Sequence, residues 1–85
     1  MNTNHQPAYM PPIRAYSKTD LCYILRNPLV NLAAPGADRA YKRETLKKKI
    51  IDAQLLPSLG ITEDEYNRIK IFTTSQSELI IRTLL

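Results

Sequence analysis

The stretch Asp38-Arg-Ala-Tyr-Lys-Arg-Glu-Thr-Leu-Lys-Lys-Lys-Ile-Ile-Asp-Ala-Gln-Leu-Leu56 decides how this chain is read. It is the best helix candidate present, with Asp38 placed to cap it and Leu55-Leu56-Pro57 marking its end. At about 100° per residue, Ile50 and Ala53 fall within about 40° of Leu46 and make an inward stripe. Tyr41, Glu44, Lys48 and Asp52 lie opposite. Lys47 and Lys49 flank the stripe on its two sides, and Lys48 points away. Glu44 and Lys48 are spaced to pair at i,i+4. Arg39, Lys42 and Arg43 lie in line with the apolar stripe one to two turns earlier. Either the helix overhangs the core there or it starts later than Asp38.

Downstream, two capped segments follow. Thr62 and Glu65 make a Thr-x-x-Glu capping box, with Ile61 and Tyr66 at the staple positions, and predict about two helical turns. Ile69-Lys70-Ile71-Phe72 alternates with period two and reads as a short strand. Thr73 and Gln76 make a second box. They open a last helix with Leu79, Ile80, Ile81, Leu84 and Leu85, apolar over so wide an arc that burial on more than one side is required.

Upstream, residues 1–12 read as a disordered tail, because Pro7, Pro11 and Pro12 lack amide donors and there is little apolar mass to bury. The ordered domain is expected over 13–85. Ser17 caps a first helix, with Asp20 in its first turn and Tyr16 and Leu21 as staple. Leu21, Ile24 and Leu25 form its stripe, Cys22 packs as a small core hydrophobe, and Asn27-Pro28 ends it. The apolar segment 29–36, bracketed by Pro28 and Pro35-Gly36, reads equally as a short helix or a packed loop. Ile13-Arg14-Ala15-Tyr16-Ser17 and Ile69-Lys70-Ile71-Phe72-Thr73 share one pattern. Residues 13–16 and 69–72 are therefore expected to pair as a two-stranded ribbon. The fold class is mainly α, a small helical bundle of helix-turn-helix-like character.

At 85 residues the chain is one domain at most. Such a chain buries only about 60% of its unfolded surface. With a single cysteine there is no internal disulfide to help, and a partner is the remaining source of extra stability. One cysteine suits a reducing compartment, so a cytoplasmic protein is expected. No run of roughly 20 apolar residues is present to span a membrane. His5 is the one histidine, so no metal-ligand set is expected. Gly36 and Gly60 alone build no phosphate cradle, and the acids read as caps and surface partners. No enzyme, cofactor or small-molecule substrate is expected.

Three motifs come in a fixed order: Ile-Arg-Ala-Tyr-Ser-Lys-Thr-Asp-Leu at 13–21, Leu-Lys-Lys-Lys-Ile at 46–50 and Ile-Phe-Thr-Thr-Ser-Gln at 71–76. Together they resemble a family of short uncharacterised proteins found mostly in Bacteroidetes. That family carries I-R-S-Y-x-x-x-E-L-A, a basic L-x-R-W-I helix and F-T-P-x-Q-V. The resemblance covers about 13–85. It departs at Lys49, Thr74 and Ser77, where the family has Trp, Pro and Val, and in a longer 27–37 loop. The family has no established activity. The Tyr-Ser-Lys-x-x-Leu opening and the basic second helix are also similar to MerR-type and excisionase-type helix-turn-helix domains, in which the second helix enters the major groove. The long segment between the two helices departs from that pattern, which needs a turn of about three to four residues.

The 38–56 stretch holds six of the 12 basic residues, in a chain of net charge +4 and pI near 9.4. The leading expectation is therefore a DNA-binding module. Arg39, Lys42, Arg43, Lys47, Lys48 and Lys49 would meet phosphates, with Tyr41 and Thr45 reaching bases. The alternative is a protein-interaction or homo-oligomerisation module, a homodimer with Ile81 and Leu85 at its interface.

Overall fold

A computed structural model describes residues 10–85. The expected disordered tail covers residues 1–9, which lie outside the described residues, and Met10 to Pro12, which are described. Five helices run in order: α1 (Lys18–Arg26), α2 (Arg43–Asp52), α3 (Leu55–Leu59), α4 (Glu63–Arg68) and α5 (Thr74–Leu84). The domain is mainly α, without a sheet among the described residues. α1, α2 and α5 pack on one another, and α3 fills the space between α2 and α5. The core holds Tyr16, Leu21, Ile24, Leu46, Ile50, Phe72 and Ile80, each nearly or wholly excluded from solvent. Cys22 packs among them as a free thiol, and burial pushes its pKa up.

The three hydroxyl caps form as their spacing requires. Ser17 accepts from the Asp20 amide, and Thr62 and Thr73 close full capping boxes with Glu65 and Gln76. In the first box the bonds from Thr62 hold the Glu65 carboxyl below its ordinary pKa. Gln76 also donates from Nε2 to the Leu59 carbonyl at 3.2 Å, which ties α5 to the end of α3.

The 38–56 stretch is not one helix. Asp38 does not cap it: the Asp38 carboxylate accepts instead from Asn27 at the end of α1, at 3.2 Å. Helix begins only at Arg43, with Lys42 at the cap position and no side-chain bond there. It breaks after Asp52, where Gln54 adopts a left-handed conformation with φ 55°. Geometry explains the break. In an unbroken helix Leu55 would point about 140° away from Ile50, toward solvent. The left-handed residue redirects the chain so that Leu55 and Leu59 of α3 reach the core. Ala53, assigned by periodicity to the inward stripe, is exposed at the break.

The expected ribbon contracts to one antiparallel bridge between Ser17 and Ile71. The Phe72 amide donates to the Tyr16 carbonyl at 2.9 Å, and the Lys18 amide to the Lys70 carbonyl at 3.1 Å. The ladder stops there because the Tyr16 amide donates to the buried Ser77 hydroxyl at 3.0 Å and the chain bends at residues 13–14. The Tyr16 hydroxyl donates to the Pro12 carbonyl at 2.6 Å, and Pro11 is buried. Met10 to Pro12 therefore lie against the domain rather than in a tail, lining with Glu78, Ile81 and Arg82 of α5 a groove of about 290 Å³. Segment 29–36 resolves as loop: turns, with Val30 and Leu32 packed on the core and Leu29 exposed.

Candidate nucleic-acid interface

The six basic residues proposed from the sequence do not share a face. Arg39 and Lys42 precede α2 and are exposed; Lys48 points outward from it. Lys49 lies on one flank, with its ammonium 4.9 Å from the centre of the Tyr41 ring. Arg43 and Lys47 lie on the other flank, toward α1 and α4. Arg43 Nη2 donates to the Thr19 hydroxyl at 2.8 Å, and Lys47 Nζ meets the Glu63 carboxylate at 3.0 Å. The expected Glu44–Lys48 pair does not form. Among the described residues the ion pairs are Lys47–Glu63 and Glu78–Arg82.

The two residues assigned to base contact are both half-buried. Tyr41 donates its amide to the Cys22 carbonyl at 3.0 Å, and its ring packs against the core with Arg26 also near its face at 5.7 Å. Thr45, in the first turn of α2, is half-buried. The expected interface pair, Ile81 and Leu85, is in large part covered by the domain itself. Ile81 is only 4% exposed, buried by its own chain, and Leu85 is half-buried against the same core.

One member of the basic cluster escaped the sequence reading. Lys18, the first residue of α1, is 9% exposed. Its ammonium donates to the Tyr66 carbonyl and lies 4.1 Å from the centre of the Tyr66 ring. Burial, and then the nearby charges of Arg43 and Lys47, hold its pKa below the ordinary lysine value. Lys18, Arg43, Glu44, Lys47, Tyr66 and Asn67 line a cleft of about 240 Å³ between α1, α2 and α4. Its signal in the sequence was faint: Lys18 stands beside the Ser17 cap, 25 positions before Arg43.

No three His, Cys, Asp or Glu side chains among the described residues are grouped to hold a metal ion. No described helix is long and apolar enough to cross a membrane. Residues 27–42 separate α1 from α2, so these helices are not joined by the short turn of a helix-turn-helix. No family model, no curated protein and no solved structure matches the chain.

Proposed function

We propose that this domain is a non-catalytic module that binds the phosphate backbone of nucleic acid, DNA in the first instance, through α2 and the segment leading into it. One observation carries the reading. Of the six basic residues in the 38–49 segment, only Lys47 meets a carboxylate among the described residues. A charged helix face kept only for solubility gains from i,i+4 pairs. Here Glu44 and Lys48 have that spacing and do not bond. The cationic surface is left open to an external anion. Because the Tyr41 ring packs against the core and Thr45 is half-buried, the reading implies contact with phosphates rather than bases, and binding tolerant of sequence.

The test is the salt dependence of binding to duplex DNA. The basic residues are spread around the helix, so three or four of them reach phosphates at once. The log–log slope is then about −3, at roughly −0.9 per contact. Replacing Lys42 and Lys48 together by Ala is expected to flatten it by about two units, since neither is paired and neither packs in the core. Absence of binding at low salt, or an unchanged slope in the double variant, overturns the reading.

A second reading, a protein-interaction or self-association module, draws on three exposed apolar side chains, Leu29, Ile71 and Ile13. A concentration-dependent mass by light scattering, with no nucleic-acid binding, favours it.

A further inference from the structure

We propose that the cleft between α1, α2 and α4 is the seat of a single phosphate group of one negative charge, gripped by Arg43 and Lys47 with Lys18 beneath. The proposal deepens the nucleic-acid reading and rests on it for the source of the phosphate. The seat itself rests on the geometry of the cleft.

Three cations from two helices face one hollow. The cleft, of about 240 Å³, opens to solvent and has room for a tetrahedral anion. Lysine is rarely so buried without a charged partner, yet Lys18 has only a neutral carbonyl and an aromatic face. Arg43 and Lys47 add repulsion to that burial, and an anion in the cleft would relieve both. Arg43 is also pre-positioned. One Nη is committed to Thr19, and the remaining donors of its planar fork are left to grip oxygens. Asn67 adds an exposed neutral amide at the rim.

The charge selects the ligand. Lys18, Arg43 and Lys47 stand against Glu44 in the lining and Glu63 on Lys47, which leaves one net positive charge. That matches a backbone phosphodiester, or free phosphate in its singly charged form. A phosphomonoester carries about −1.5 to −2 at neutral pH and suits the cleft less well. The competing explanation is a crease of solvated polar side chains between three helices.

The full chain is titrated with a single-stranded oligothymidylate and, separately, with inorganic phosphate, while the Thr19, Arg43 and Asn67 resonances are followed by NMR. Affinity for the oligonucleotide is compared in Arg43→Gln and Lys48→Gln, which remove the same charge inside and outside the cleft. Asn67→Ala serves beside them as a neutral change at the rim. Cleft resonances are expected to shift saturably with both ligands. Arg43→Gln is expected to weaken oligonucleotide binding about tenfold more than Lys48→Gln, the scale of a charge-assisted hydrogen bond. An oligonucleotide that binds without moving the cleft resonances, with Arg43→Gln and Lys48→Gln weakened equally and Asn67→Ala unaffected, overturns the seat and leaves the nucleic-acid reading standing. Shifts with inorganic phosphate and no oligonucleotide binding sustain the seat and overturn nucleic acid as its source. No shift with either ligand overturns the seat.

Discussion

Lys18 and Tyr66 share one contact, and burial shifts their two titrations in opposite directions. The ammonium lies over the Tyr66 ring at 4.1 Å and donates to the carbonyl of the same residue. Burial lowers the pKa of the lysine and raises that of the tyrosine to about 12, with the Cys22 thiolate a smaller cause for the tyrosine. The two groups therefore bend stability with opposite signs. Lys18 binds its proton less tightly in the folded chain than in the unfolded one. Its cost is fully present at neutral pH and is relieved as pH rises through its lowered pKa toward the ordinary 10.5. Tyr66 keeps its proton longer when folded. Its contribution is complete below the ordinary 10.0 and is lost as pH climbs from there to about 12. Urea denaturation across that alkaline range is expected to lose about 2–3 kcal/mol from Tyr66 alone, and Tyr66→Phe to lose that part of the fall.

The Tyr66 hydroxyl is buried and has no hydrogen-bond partner among the described residues. Removing a buried donor with no acceptor takes away a desolvation cost without breaking a bond. At neutral pH Tyr66→Phe is therefore expected to leave stability unchanged or raise it by about 1 kcal/mol, read from the denaturation midpoint. A loss of more than 1 kcal/mol would show that the hydroxyl has a partner, such as a bound water.

Thr73 and Gln76 satisfy each other's backbone at the start of α5, at 3.1 and 3.0 Å. Thr73→Ala is expected to cost about 1 kcal/mol. Gln76→Ala should cost more, since it also releases the Leu59 carbonyl. For a domain of this size each kcal/mol lowers Tm by about 4–8 °C, so a thermal melt ranks the two variants.

Gln54 is the one non-glycine residue with positive φ among the described residues. Glycine adopts that conformation without the steric penalty of a Cβ. Gln54→Gly is expected to stabilise the domain by about 0.5–1 kcal/mol, while Gly60→Ala, at φ 74°, costs a similar amount. Open space surrounds the ideal Cβ at Gly60, so the penalty there is one of backbone alone. Equilibrium unfolding of both variants checks the pair of signs.

Glu63 competes with any anion for Lys47, at 3.0 Å. Glu63→Gln is expected to tighten oligonucleotide binding and steepen the log–log salt slope by up to about 0.9, the value of one additional phosphate contact. The Glu63 side chain is 58% exposed and that of Lys47 31%, so solvent screens the pair and little stability should be lost with it. An unchanged slope would mean that Lys47 takes no part.

The legible parts of this fold are those written in adjacent residues. Ser17, Thr62 and Thr73 announce their helices because cap and amide lie three positions apart, a spacing that needs no tertiary information. Leu46 and Ile50 were likewise readable by period. What failed depended on distant contacts. Nothing local says that Asp38 is taken by Asn27, that Gln54 turns left-handed so Leu55 can reach the core, or that Ser77 claims the Tyr16 amide and ends the pairing. The basic surface was visible as a run of lysines. The cleft was not, because it needs Lys18 from one helix and Asn67 from another.

The bridge between Ser17 and Ile71, fastened by Ser77 on the Tyr16 amide, joins the start of α1 to the segment that leads into α5. Closing it requires almost the whole length of the described chain to be in place, and loop-closure entropy must be overcome before the reward arrives. During synthesis α1 emerges early with its cap already satisfied, but its apolar face waits for Phe72 and Ile80. The core is therefore completed only once α5 is available to close it. Until then the segments that later carry its positive charge emerge ahead of the residues that fold them, an interval in which a polyanion already present would meet an unfolded cationic chain.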